Sequence, residues 1–180
     1  ADAPGFVDDI TVRSPEDLDG DGVLDAGEDT NGNGILDGVT IQSTLGDVTL
    51  LAGDDVFTAP NMVVSAFDDL IITAGFGDLD GRGAATLLGT QTSQTGTTTV
   101  SAINDIILGL FIANDGLILF TSTGNILDGN GPALNVQANG LSTFTATLGV
   151  IGLDTDAIEM EQQNGQLVVN AGGSSDRVSV

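Results

Sequence analysis

The chain has 180 residues, 41% of them hydrophobic, so it is long enough to bury a core, and its 26 acidic residues against 3 basic ones give a formal charge of −23. That charge argues against nucleic acid and anionic membrane surfaces as partners and makes divalent cations the natural ones. Cysteine is absent, which rules out disulfide staples, and histidine, lysine, tyrosine and tryptophan are absent too, which removes most general bases, nucleophiles and sugar-stacking platforms.

Residues 1–16 read as a leading extended segment, because Ile10-Thr11-Val12-Arg13-Ser14-Pro15 favours an extended chain ending in a turn. The segment opens at Ala1 with no initiator methionine and no signal sequence, as expected of a processed secreted protein or an excised piece of one. Eleven of the acids fall within the first 37 residues, so the electrostatic extreme lies at this end.

Residues 17–38 carry the most specific motif. Asp17, Asp19, Asp21 and Asp25 occupy the first, third, fifth and ninth positions of a twelve-residue calcium loop; Gly22 is sixth, Val23 offers its carbonyl at the seventh, and Glu28 closes the loop in bidentate fashion. A second copy abuts it: Asp29, Asn31, Asn33, the Ile35 carbonyl and Asp37, with Gly34 sixth. Its twelfth position is Thr40, so its ion must borrow a ligand, keep water or bind weakly. A hard cation of calcium's size takes about six to eight oxygens at roughly 2.3–2.6 Å, which a short chain supplies only by curling around it. Without metal these carboxylates repel one another, so the loops are expected to order as two calcium ions bind, the first more tightly. The pairs Val23-Leu24 and Ile35-Leu36 are expected to anchor the loops on a neighbouring core.

This block, Asp17 to Asp37, resembles the duplicated calcium loops of dockerin domains and of thrombospondin type 3 repeats. There is no room for a helix between Glu28 and Asp29, so the reading is a helix-free tandem calcium clip. A sensor that opens a hydrophobic groove does not fit it.

Residues 39–180 show short strands between polar turns and no sustained 3.6-residue period, which makes the chain all-β. Strands are predicted at 48–51, 56–58, 62–65, 70–73, 98–101, 106–108, 117–120, 134–136 and 167–169. The strongest apolar run, Ile106 to Ala113, is too short to span a bilayer, so no membrane insertion is expected. Turns such as Gly46-Asp47-Val48, Asp68-Asp69-Leu70, Asn104-Asp105-Ile106 and Gly124-Asn125-Ile126 recur at roughly the twenty-odd-residue spacing of one solenoid coil. A wound parallel sheet accounts for this, with a β-sandwich as the alternative. Between Gly75 and Thr97 the Gly-, Thr- and Gln-rich sequence predicts a loop or a splayed coil.

Phrases such as Gly46-Asp47-Val48-Thr49-Leu50-Leu51-Ala52-Gly53-Asp54-Asp55-Val56 and Ser122-Thr123-Gly124-Asn125-Ile126-Leu127-Asp128-Gly129 are similar to the degenerate repeats of filamentous-haemagglutinin-type adhesins. The resemblance, over Val39 to Val169, implies a right-handed parallel β-helix in a large secreted surface protein with stalk, adhesion or fibre roles.

Catalysis is not expected. The pairs Asp54/Asp55 and Asp68/Asp69 fall at corners, where Asp caps turns through its own backbone. Polysaccharide lyases of this architecture rely on Lys or Arg, and this chain has only Arg13, Arg82 and Arg177. The fragments Asp78-Leu79-Asp80-Gly81-Arg82-Gly83 and Asp128-Gly129-Asn130-Gly131 have too few ligands in register and read as turns. Phe57, Phe67, Phe76, Phe111, Phe120 and Phe144 are candidates for a stacked interior column. The expected function is a calcium-stabilised extracellular structural module that self-associates in a fibre or surface layer. The alternative is an adhesin module binding a glycan or surface protein, and a third reading is a calcium-dependent polysaccharide lyase or hydrolase. Cytosolic free calcium is too low for modest sites, so a secreted, cell-surface location is expected.

Overall fold

Aliphatic and β-branched runs of three to nine residues, broken by Gly, Asp and Asn, leave each segment long enough for one side of a coil and no more. The computed structural model describes residues 9–12, 14–16, 25, 27–30, 37–77, 80–173 and 178–179. In chain order its strands are β1 (Ile10–Val12), β2 (Thr40–Gln42), β3 (Val48–Ala52), β4 (Val56–Thr58), β5 (Val63–Ala66), β6 (Leu70–Ala74), β7 (Ala85–Ser93) and β8 (Thr98–Ala102). There follow β9 (Ile106–Ala113), β10 (Ile118–Ser122), β11 (Ile126–Asp128), β12 (Val136–Ala138), β13 (Ser142–Ala146), β14 (Ile158–Gln162), β15 (Leu167–Ala171) and β16 (Val178–Ser179).

Every pairing between these strands is parallel. The chain is a right-handed parallel β-helix of about five turns with no helix among the described residues, which sets aside the sandwich. It has three faces. The first stacks β1, β4, the first half of β7, the first half of β9 and β11; the second stacks β2, β5, the second halves of β7 and β9, β12 and β14. The third is a six-stranded sheet in the order β15, β13, β10, β8, β6, β3.

Register makes the core a set of columns. On the third face Leu50, Ile72, Val100, Phe120, Phe144 and Val169 lie one above another, and beside them run Ala52, Ala74, Ala102, Ser122, Ala146 and Ala171. Large side chains fill the middle of the coil, and small ones sit where the chain turns towards the first face. Phe120 meets Phe144 at 5.0 Å and Phe111 edge-on at 4.9 Å. The aromatic column therefore takes three of the six expected phenylalanines. Phe67 is exposed, and Phe57 and Phe76 are half-buried.

Between Gly75 and Thr97 the expected loop holds only for the first part, where the described residues up to Ala84 are turns and irregular chain; the rest is not a loop but β7, a nine-residue strand that pairs with β4, β5 and β9 and alternates strictly between buried and half-buried positions. Leu87 and Gln91 point inward there. The Gln91 amide, oriented to satisfy both of its ends, accepts from Thr58 Oγ1 at 3.0 Å and donates to the carbonyls of Gly89 and Leu110.

Where the first and second faces meet, most coils turn in a few residues: Ala59 to Met62 in one, Leu88-Gly89 in the next, Gly109 in the third. A Cβ at Gly109 would lie 2.6 Å from the Leu87 carbonyl oxygen, so only glycine fits between those coils. At this same corner in the first coil the chain leaves β1 at Val12 and does not return until β2 at Thr40, so the segment in which calcium loops were predicted is an insertion between them. Val12 O accepts from Ala59 N at 2.9 Å and Val39 O from Val63 N at 3.0 Å, so the next coil clamps the two ends of the insertion a short turn apart.

Candidate metal centre

The base of the insertion is a small apolar cluster of Val12, Ala59 and Met62, with Ile10, Val39, Ile41 and Phe57 packed around it. Above it the chain buries acid. Glu16 is 3% exposed and Glu28 5%, a burial that carboxylates tolerate only when hydrogen-bonded or paired with a cation. Ser14, also buried, accepts the Glu16 backbone N–H on Oγ at 3.1 Å and fixes the turn that carries Glu16 inward.

Of the predicted ligands, Asp25, Glu28, Asp29 and Asp37 are among the described residues; Asp17, Asp19, Asp21, Val23, Asn31, Asn33 and Ile35 lie outside them, as do Leu24 and Leu36. In the first loop the ninth and twelfth positions are tied together. Asp25 N donates to Glu28 Oε2 at 2.9 Å and Glu28 N donates to Asp25 O at 3.1 Å. This turns the Glu28 carboxylate back onto the backbone of Asp25. In the second loop the twelfth residue, Thr40, belongs to β2 and pairs with Val63. The residue that reaches the second loop is Glu16, which the spacing argument did not single out: Oε1 accepts from Thr30 Oγ1 at 2.9 Å and Oε2 from Asp37 N at 3.3 Å. Among the described residues no group of three or more His, Cys, Asp or Glu side chains is gathered as a complete metal cage. The described oxygens, all carboxylate, hydroxyl or backbone, are those a hard cation takes.

The corner acids of the solenoid do something different from what was expected. Of each expected pair, the second acid accepts a backbone N–H from the following coil: Ala84 N donates to Asp55 Oδ1 and Thr97 N to Asp69 Oδ1, while Asp55 N in turn donates to Asp9 Oδ1 and Asp69 N to Asp47 Oδ1. Asn125 N donates to Asp105 Oδ1, and Val150 N to Asn125 Oδ1. These side chains form ladders along the axis that satisfy backbone donors at the bends.

A second acidic spot lies at the far end of the corner that holds the insertion. Asn135, fully buried, donates to Asp128 Oδ1 at 2.6 Å and accepts from Glu159 N at 2.9 Å, while Asn130 N donates to the same Asp128 oxygen at 2.8 Å. Desolvation, then the Asp128 charge and a hydrogen bond to it, hold exposed Asp156 above the ordinary Asp range. Desolvation followed by the charge of Asp128 likewise raises Glu159. Glu159 Oε2 is buried with no hydrogen-bond partner among the described residues. The Asp128 to Gly131 fragment is thus a turn, as its ligand count implied, but one that crowds three carboxylates. Of the other fragment, Asp78 and Leu79 lie outside the described residues, and Arg82 pairs with Asp80 at 3.7 Å.

A scan against protein-family models and searches of curated proteins and of solved structures find no match for this chain.

Proposed function

We propose that the chain is a calcium-stabilised extracellular structural module whose copies, or neighbouring segments, join end to end in a fibre or surface layer. The observation that carries this reading is that both edges of the third face have no partner strand among the described residues. β3 ends that sheet on one side and β15 on the other, both five residues long, both parallel to every strand between them. Open parallel edges are templates for further strands, and β15 of one copy has the direction and length to extend the ladder from β3 of the next. The backbone groups of Gln166 and Gly172 turn towards β13, so those of Val169 turn outward to the free edge.

Calcium enters as the crosslink of the terminal coil. Glu28 is folded back onto Asp25, and the segment is clamped at both ends, so ion binding would convert a self-repelling acidic strip into a fixed end piece. The test is sedimentation and electron microscopy of the wild type and of Val169→Pro, with calcium and after chelation. Proline removes an outward N–H, which edge strands tolerate. Assemblies are expected from the wild type in calcium, with loss on chelation and in the variant; filaments unchanged in both cases would end this reading.

A second reading, an adhesin module, rests on one groove. Gln42, Phe67 and Gln94 line an open cavity of about 310 Å³ on the outside of the coil, with Phe67 45% exposed, the amide-and-aromatic composition that binds sugars. Specific capture on a glycan array by a monomer, lost in Phe67→Ala, would favour it.

A further inference from the structure

We infer that the outer surface of the third face binds an uncharged, hydrogen-bonding solid lattice, the surface of ice. The inference is separate from the calcium and end-to-end readings above and needs neither. From β3 to β15 this sheet runs in full five-residue register, without the shift that breaks β7 against β9 between Leu87 and Thr90. Each strand turns two side chains outward between three turned in, and register stacks them in two columns. One column runs Leu51, Thr73, Ser101, Thr121, Thr145 and Asn170, with four hydroxyls in succession. The other alternates hydroxyl and aliphatic, with Thr49, Thr99 and Thr143 separated by Ile71 and Leu119 and followed by Val168.

Parallel strands stand about 4.8 Å apart and outward residues about 6.6 Å apart along each strand, so hydroxyls and methyls occupy a flat rectangular grid. Threonine is stiff at χ1, which sets the grid before water arrives, and the Thr73 and Ser101 hydroxyls hold one another at 3.2 Å. Each hydroxyl both donates and accepts, while the methyls between them leave first-shell water to bond with itself. Such a grid holds water in a repeating layer. The oxygens of ice repeat at comparable intervals.

Charge and area select this occupant. The chain carries a formal charge of −23, yet no outward residue of this face is acidic or basic. The acids beside it, Asp47 and Asp69, stand at the bend before the strands and accept backbone N–H groups there. A cation or a charged polymer has nothing to pair with on the face, and an uncharged lattice buries no charge against it. Six strands of five residues present about 400 Å², half of the roughly 800 Å² per partner that a specific protein interface takes, which argues against a second copy. No outward residue is aromatic, so a crystalline polysaccharide has no ring to stack on.

The test is microscopy of ice recrystallisation, with partition of the full chain into a slowly growing ice hemisphere, for the wild type, Thr121→Lys, Thr145→Lys and Thr92→Lys. Thr121 and Thr145 point outward on the third face; Thr92 points outward on the second, so its variant makes the same charge change off the grid. The wild type and Thr92→Lys are expected to enter the ice and arrest recrystallisation, and the two third-face variants to lose both properties. Circular dichroism checks that each variant keeps the solenoid. A wild type excluded from ice would overturn the inference, as would equal loss in Thr92→Lys or no loss in the third-face variants. Capture by crystalline cellulose or chitin in place of ice would overturn it too, and so would a dimer in sedimentation that Thr121→Lys, and not Val169→Pro, dissociates.

Discussion

At the residue scale, aspartate and asparagine do most of the work outside the core, and their partners are distant in sequence. The turn signature was legible: an Asx before each aliphatic run marks a bend. That its oxygen serves the next coil was not, because the partner lies 20 residues on for Asp105, 22 for Asp47, 25 for Asn125, 28 for Asp69 and 29 for Asp55. No fixed offset exists in the sequence to read. Asp9 reaches 46 residues on to Asp55, the excess being the length of the insertion. Glu16 escaped notice for the same reason, since only the sheet places it beside Asp37. The crowded corner at Asp128 yields a pH prediction. The folded-state values of Asp156 and Glu159 are raised, so their ionisation in the fold opposes stability at neutral pH, and that opposition is relieved as pH falls through the raised values towards about 4. Asp156→Asn should therefore have a higher thermal midpoint than the wild type at pH 7, with the gap closing near pH 4; an unchanged gap across that range would contradict the repulsion.

At the element scale, most strands found from sequence carry an aliphatic run. Two of the overlooked ones, β7 and β13, place Gln or Ser among their inward residues and Thr on the outer face, and look like loops until their pairing is known. Thr143 and Thr145 lie on the outer face, between inward Ser142, Phe144 and Ala146. Spacing between coils is set as much by what is missing as by what is packed. Gly96, Gly116, Gly140 and Gly165 stack at the bend before the third face, and a Cβ on Gly116 would fall onto the Gly96 carbonyl oxygen. Gly116→Ala is expected to cost about 1–3 kcal/mol, the usual penalty for forcing a methyl into a closed space. Gly46→Ala, at the equivalent bend of the first coil, meets nothing closer than Ser43 Oγ at 4.0 Å and should change stability by less than about 0.5 kcal/mol. Urea denaturation of the two variants side by side reads the difference directly.

At the scale of the whole molecule, one corner of the coil concentrates the irregular features. It holds the insertion between β1 and β2 in the first coil and the Asp128, Asp156 and Glu159 group near the other end, while the coils between pass it in one to four residues. The wound parallel sheet was legible from the rough twenty-odd-residue recurrence of the turns together with the repeat phrases, with a sandwich left open until the strand pairing was seen. Where the acidic segment attaches was not, since a segment that precedes the repeats in sequence gives no hint that a strand of the first coil lies on its far side. That placement has a mechanical consequence. If the inserted segment takes up calcium as proposed, its place in the outermost turn makes the order of that end follow the ion: with the ions stripped, erosion should start at β1 and β2 and advance rung by rung. A glutamyl endopeptidase added with chelator is expected to trim this terminus first, leaving a resistant remnant that begins near β3, whereas the same enzyme in calcium should leave the chain whole.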